Sequence, residues 1–251
     1  MNHPTFSDHF APVTTHYARF RPTYPEALFA WLAATAPGRE RAWDCAAGSG
    51  QATLDLARYF ACVLATDASR AQIDAASPHS NVEYRVAPAE ASGLADATVD
   101  VITVAQALHW FDLDRFYAEA RRVLKPGGIL TAWTYGVQTV DEARVDARVR
   151  TFYRETVGPY WPPERRHVES GYRTLPFPFR EIPVPEFRMI ADWTLPELLG
   201  YLRSWSATGR YRAEHGTDPV DGLATELAPL WGDSSIRRRV IWPLSLRVGR
   251  D

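Results

Sequence analysis

The feature that most constrains this chain is an alternation, between residues 42 and 136, of short apolar runs with stretches of helical period. Runs at 42–46, 61–66, 82–87, 99–105 and 129–133 have strand length and little inner polarity, as strands covered on both faces require. The clearest helix between them carries Leu113, Phe116, Tyr117, Ala120, Val123 and Leu124 as one apolar stripe. The breakers Lys125-Pro126-Gly127-Gly128 are expected to end it in a turn. Strands separated by helices imply an α/β fold with a mostly parallel sheet and right-handed crossovers.

The flanks are less regular. Residues 1–24 are aromatic and arginine-rich without alternation, and Pro25 then opens a helix through Leu28, Trp31 and Leu32 that Pro37-Gly38 stops. Beyond Gly136 a helix is expected over 137–157, then a proline-rich aromatic stretch over 158–185 and a strand over 187–193. Thr194 is placed to cap a helix, and residues 239–248 alternate as a final strand, with Pro243 at an edge or bulge. One domain over 1–251 is expected: a flap and helix (1–38), a cofactor-binding core (39–136), and an acceptor-side cap with final strands (137–251).

Net charge is -2 over 251 residues, which argues against a nucleic-acid surface; Arg237, Arg238 and Arg239 read as a solvated approach to a strand. Cys45 and Cys62 sit in neighbouring apolar runs without metal-ligand spacing, so neither disulfide nor metal is expected. With no secretory leader and no apolar run of membrane-spanning length, a cytoplasmic protein without a membrane partner is expected.

The chemistry concentrates in Ala42-Trp43-Asp44-Cys45-Ala46-Ala47-Gly48-Ser49-Gly50-Gln51, a strand running into a small-residue turn and then a helix. Such a turn lets a ligand reach the backbone, where free N–H groups at a helix start face it. Asp67 ends the next strand, where a carboxylate can accept both hydroxyls of a ribose. A dinucleotide would want a third glycine where Thr53 stands, so a nucleoside without a diphosphate fits better than a nicotinamide dinucleotide.

Asp44-x-x-x-Gly48-Ser49-Gly50 resembles the first motif of class I S-adenosylmethionine-dependent methyltransferases, with Ala46 in place of its first glycine. Asp67 with Ala68, Ala89-Glu90, the 105–111 stretch from Ala105-Gln106 to Trp110-Phe111, and Arg122–Gly128 fall where that family's later motifs fall. The resemblance implies a Rossmann-like sheet of seven strands; periodicity alone marks five. It implies S-adenosyl-L-methionine as methyl donor, S-adenosyl-L-homocysteine as product, and cofactor contacts from Asp44, Ala46, Gly48, Gly50, Asp67, Ala68, Ala89, Glu90 and Gln106. Residues 17–25, 107–112 and 204–206 resemble more narrowly the trans-aconitate methyltransferase-like branch, which methylates small acids.

Tyr17 and Arg21 are candidates to fold over the cofactor, Arg21 pairing with its carboxylate; a surface position is the alternative. His109 is the candidate base and Trp110 its neighbour, though both could simply wall the pocket, and an ionised carboxylate acceptor needs no base. Arg19 and Arg203 are candidates for gripping an acid. Trp161, Phe177, Phe179, Trp193 and Trp205 suit either a pocket lining or the cap's own core. A macromolecular acceptor (tRNA or protein), a cofactor-binding module without chemistry and a nicotinamide oxidoreductase are the competing readings.

Overall fold

The computed structural model describes residues 22–250. Helix α1 (Glu26–Thr35) follows Pro25 and buries Leu28, Phe29, Leu32 and Ala33. Five parallel strands follow: β1 (Arg41–Cys45), β2 (Cys62–Asp67), β3 (Val82–Val86), β4 (Val99–Ala105) and β5 (Leu124–Tyr135). They lie in the order β3-β2-β1-β4-β5, joined through α2 (Thr53–Ala57), α3 (Arg70–Asp74) and α4 (Leu113–Val123). The first four strands lie within a residue of their expected bounds.

β5 starts earlier than expected. Lys125-Pro126-Gly127-Gly128 does not form a separate turn after α4; it bulges from within the strand. Leu124 pairs with Val99 and Ile129 with Val101, so four residues of β5 stand opposite one of β4. A Cβ on Gly128 would lie 2.9 Å from the carbonyl oxygen of Lys125, which excludes any larger residue from this bend.

Asp100 holds the start of the central strand. Its buried carboxylate accepts the backbone N–H groups of Glu40 and Arg41, each at 2.9 Å, and meets Lys125 Nζ at 3.0 Å. Gly38 passes so close that a Cβ there would sit 2.7 Å from Asp100 Oδ1.

The second half differs more from expectation. Residues 137–157 do not form one helix: β6 (Thr139–Val140) pairs first with the last strand, and α5 (Ala143–Thr151) then starts on a Glu142 cap and ends in a π turn. Backbone pairing with a long neighbouring strand outweighs helix propensity here. After α6 (Arg165–Glu169) come β7 (Arg180–Glu181) and β8 (Arg188–Trp193). Thr194 and Glu197 form the expected capping box of α7 (Leu195–Arg203). Helices α8 (Ser206–His215) and α9 (Pro219–Trp231) were not expected from periodicity.

The sheet has nine strands rather than seven. The difference comes from β9 (Arg238–Arg250), which is long enough to serve two sets of neighbours. Its first half takes β6 and β8; its second half takes β5 and β7, all antiparallel. Pro243 stands between the two halves, exposed, and opposite Arg188. The two halves of the path therefore meet on a single strand.

Apolar side chains cover both faces. Trp43, Cys45, Ile102 and Val104 pack with α4, while Ala42, Val101, Ile129 and Trp133 pack with α1, α2 and the cap helices. The cap's aromatics mostly fill its own core: Trp161, Tyr153 and Trp205 cluster with ring centroids 5.2–5.7 Å apart, and Trp193 meets Trp242 at 4.9 Å. Phe177 and Phe179 pack instead on Tyr117. Arg237 and Arg239 form exposed ion pairs with Glu197 and Asp192. Cys45 and Cys62 are free thiols. Among the described residues no helix is long and apolar enough to cross a membrane.

Replacing Asp100 with alanine removes the acceptor for two N–H groups at the start of β1 and leaves the Lys125 ammonium with Glu40 alone. A loss of about 3 kcal/mol is expected in urea unfolding followed by circular dichroism.

Candidate functional site

The bend after β1 is built from left-handed backbone. Ala46, Gly48 and Gly50 have φ of 56°, 58° and 89°. Ala46 pays the usual non-glycine cost of that region, roughly 1 kcal/mol. Ala47 N–H donates to the Thr66 carbonyl at 2.9 Å, tying the bend to β2. The two glycines serve different ends. A Cβ on Gly48 would meet only Gln72 Oε1, at 3.6 Å, so the bend is open there. One on Gly50 would lie 2.9 Å from Tyr84 Oη, so Gly50 is required by a neighbouring strand.

Asp44 lies beneath the bend, fully buried. Its carboxylate accepts Thr53 Oγ1 from α2 at 2.6 Å and Thr103 Oγ1 from β4 at 2.9 Å. Burial pushes its pKa up to about 6, against the lowering effect of those two hydroxyls. The side chain braces the bend from below. Asp67 ends β2 half-buried in the same crevice, accepting Gly48 N–H at 2.9 Å and Ser69 N–H at 2.8 Å. Ala68 beside it is exposed.

Ala89 is buried after β3, and Glu90 accepts Asp112 N–H at the start of α4, at 3.0 Å. Ser92 anchors the same loop through Glu119, with backbone and hydroxyl both donating to Oε1. The structure thus brings Gly48, Asp67 and the 89–92 loop to the carboxyl ends of β1, β2 and β3, the edge where open α/β sheets bind ligands.

At the end of β4 Gln106 has φ of 62°, an uncommon conformation for this residue type. Its backbone N–H donates to Trp133 and its Oε1 accepts Thr134 Oγ1 at 2.9 Å, while its amide nitrogen, as assigned, is buried without an acceptor. His109 follows in the turn Leu108–Trp110, with Nδ1 3.0 Å from Tyr172 Oη and its ring 4.6 Å from that of Trp110. Burial lowers its pKa to about 4, helped by His167 and Arg165, so the imidazole is neutral at physiological pH. Trp110 is exposed.

Tyr172 was not anticipated from the sequence. It is fully buried at φ 62°, directly after Gly171 at φ 61°. Buried Arg247 supports this turn, donating to the carbonyls of Tyr172 and Leu175 at 3.0 and 2.7 Å while pairing with Glu181 at 2.6 Å. Burial holds the phenol far above its ordinary pKa, so it keeps its proton. The one sequence signal was a glycine before an aromatic in the irregular 158–185 stretch.

Arg203 does not face the crevice chemistry assigned to it. It is paired with Asp218 at 3.3 Å and Asp221 at 2.7 Å, fastening α7 to α9. Tyr17, Arg19 and Arg21 lie outside the described residues. A separate cleft of about 320 Å³, lined by Arg148, Phe152, Tyr211 and Glu226, lies among the cap helices and contains none of the residues above.

The residues fit an adenosyl amino acid: Gly48 is open, Asp67 supplies carboxylate oxygens that can each accept more than one hydrogen bond, and Gln106 holds an unmet buried amide donor. Comparisons with known proteins agree. Residues 43–132 match the methyltransferase domain family. A candidate methyltransferase of Dictyostelium discoideum is 38% identical over 239 residues, covering 92% of this chain and 90% of that protein. The solved structure of a candidate type II methyltransferase from Anaeromyxobacter dehalogenans is 51% identical, with a TM-score of 0.88, over 92% of this chain and 98% of that one. A malonyl-[acyl-carrier protein] O-methyltransferase of Methylococcus capsulatus is 35% identical over 159 residues, 61% of this chain and 57% of that protein.

Two outcomes are expected. The His109 ring protons titrate by NMR with a midpoint near 4 rather than 6.5. Because the unfolded histidine binds its proton at higher pH than the native one, His109 adds stability as pH rises through that window and nothing above it. Asp44 has the opposite sign: the unfolded carboxyl ionises from 3.8 and the native one only near 6, so it withdraws stability over that interval. Thr53→Val leaves the ionised carboxylate one donor short, and a loss of about 1–3 kcal/mol is expected at pH 8, smaller at pH 5.

Proposed function

The chain belongs to the S-adenosylmethionine-dependent methyltransferases, and on that premise we propose that it methylates a carboxylate oxygen of a small organic acid. The observation that carries the acceptor reading is His109, held neutral with a pKa lowered to about 4 at the carboxyl edge beside β4. So weak a base is ill matched to removing a proton from an alcohol near neutral pH. An ionised carboxylate needs no base; it needs orientation and a water-poor chamber. The O-methyltransferase similarity to the Methylococcus protein, whose name specifies a malonyl group, and the narrower resemblance to enzymes acting on small acids point the same way.

S-adenosylmethionine supplies a sulfonium methyl that the acceptor oxygen attacks in line, the electron pair of the broken C–S bond returning to sulfur as S-adenosylhomocysteine forms. The protein's part is placement. Asp67 takes the ribose hydroxyls while bracing Gly48 through the N–H it already accepts. Ala68, Ala89 and Glu90 border the adenine, and the bend from Ala46 to Gly50 admits the amino-acid portion. Asp44 supports that bend from beneath, since both its oxygens are engaged by threonines. Gln106 offers its unmet amide N–H between bend and acceptor. His109 and Trp110 wall the acceptor chamber, with Tyr172 fixing the imidazole. The segment 137–251 closes the acceptor side of a cofactor-binding core spanning 39–136. Two free thiols suit a reducing cytoplasm.

The test incubates purified protein with methyl-labelled S-adenosylmethionine and a panel of small organic acids, alcohols and amines. Label released as methanol by mild alkali marks a carboxylate ester and is the expected result; alkali-stable label alone overturns the acceptor reading. Asp67→Ala is expected to weaken S-adenosylhomocysteine binding about 10- to 100-fold in calorimetry, the scale of a lost charge-assisted pair of hydrogen bonds.

A further inference from the structure

Between the π turn and Tyr172 the chain places a half-buried arginine in an aromatic setting. Arg165 opens α6, which lies against β5. Its guanidinium stands 4.5 Å over the Trp161 ring and 5.5 Å from the Tyr153 ring centre, and its Nε donates to Tyr153 Oη at 2.8 Å. Two rings and a hydroxyl thus fix the group that surface arginines leave loose. Among the described residues it has no carboxylate within ion-pair distance; Glu169 is reached only through Tyr153, whose hydroxyl donates to it at 2.5 Å. The Trp161 indole N–H is buried and has no acceptor. A fixed cation and an unmet donor, side by side, ask for an anion.

The position relative to the reacting edge follows from the chain. Two residues on, the His167 carbonyl accepts Tyr172 N–H at 2.8 Å, and the Tyr172 hydroxyl sits on His109. The Arg165 charge is near enough to help depress the basicity of His109. Arg165 and His109 are thus joined through the start of α6 and Tyr172, one charged and one neutral.

We propose that Arg165, held over Trp161 and hydrogen-bonded to Tyr153, is the anion-recognition residue of the acceptor chamber, gripping a carboxylate of the substrate and orienting it beside His109. This rests on the reading that the acceptor is an acid, and it adds which residue selects for one. It takes the role that the sequence suggested for Arg203, which is spent on Asp218 and Asp221.

The test measures alkali-labile methyl transfer to the organic-acid panel by the full chain, its Arg165→Gln and Arg165→Lys variants, and Trp161→Phe, with S-adenosylhomocysteine binding and thermal unfolding followed in parallel. For the acid the wild type esterifies best, Arg165→Gln is expected to raise KM about 10- to 100-fold, as loss of a charge-assisted pair implies, with kcat changed far less. Arg165→Lys recovers part of that loss, Trp161→Phe raises KM several-fold, and cofactor binding stays at the wild-type value. If Arg165→Gln unfolds, Arg165→Met, which keeps the aliphatic stem on Trp161, is read in its place. An unchanged KM in a folded variant that still esterifies acids overturns the role of Arg165 and leaves the acid reading standing. Failure of the wild type to esterify any acid while it methylates an alcohol or amine overturns both; failure to methylate any of the panel counts against both as well.

Discussion

A carboxylate sealed inside the sheet governs this site. Asp44 gives both oxygens to threonine hydroxyls, one from the helix that follows the bend and one from the neighbouring strand. An isolated ion there would be costly, and burial accordingly raises its pKa to about 6. The two short bonds offset enough of that cost for the charge to persist at neutral pH, and in doing so they fix β1, β4 and α2 at one point. Everything above that point, from Ala46 in its left-handed conformation to Gly48 against Asp67, inherits the position.

The same logic recurs at the opposite end of β1, where Asp100 collects two strand N–H groups and a lysine. Two buried acids therefore pin the central strand at its two ends. The one near the ligand edge relies on neutral hydroxyls, the other on a counter-ion. A lysine under the bend would place a positive charge beneath a ligand whose sulfonium is itself cationic, and threonines avoid that repulsion.

How much was legible followed from how local each cause is. Strands β1, β2 and β4 were read within a residue because a two-sided burial pattern is written in consecutive positions, and β3, a half-exposed edge strand, because Val82, Tyr84 and Val86 alternate with charged residues. Asp67 and Gly48 were legible because a bend that admits backbone approach needs small residues at fixed offsets. β6 hid inside an apparent helix because its reason for existing is β9, about a hundred residues later. Gly50 was read as a ligand glycine, and Tyr84, on another strand, places a second demand on it that no local pattern shows. Tyr172 and Arg165 lay in a stretch with no periodicity at all. Their placement depends on Arg247 and on Trp161, contacts that no local pattern announces. Arg203 failed for the converse reason: an arginine is a plausible acid-binder anywhere until its neighbours are known, and here they are Asp218 and Asp221.

The dependence of four strands on β9 has a consequence for biosynthesis. During translation the parallel half can assemble as it emerges, but β5 then waits with an unsatisfied flank, and β6, β7 and β8 have no template until residues 238–250 leave the ribosome. Through that interval the nascent polypeptide displays an open, apolar sheet margin of the type that recruits holdases or self-associates. Closure then comes late and all at once, when a single arriving segment zips both halves together.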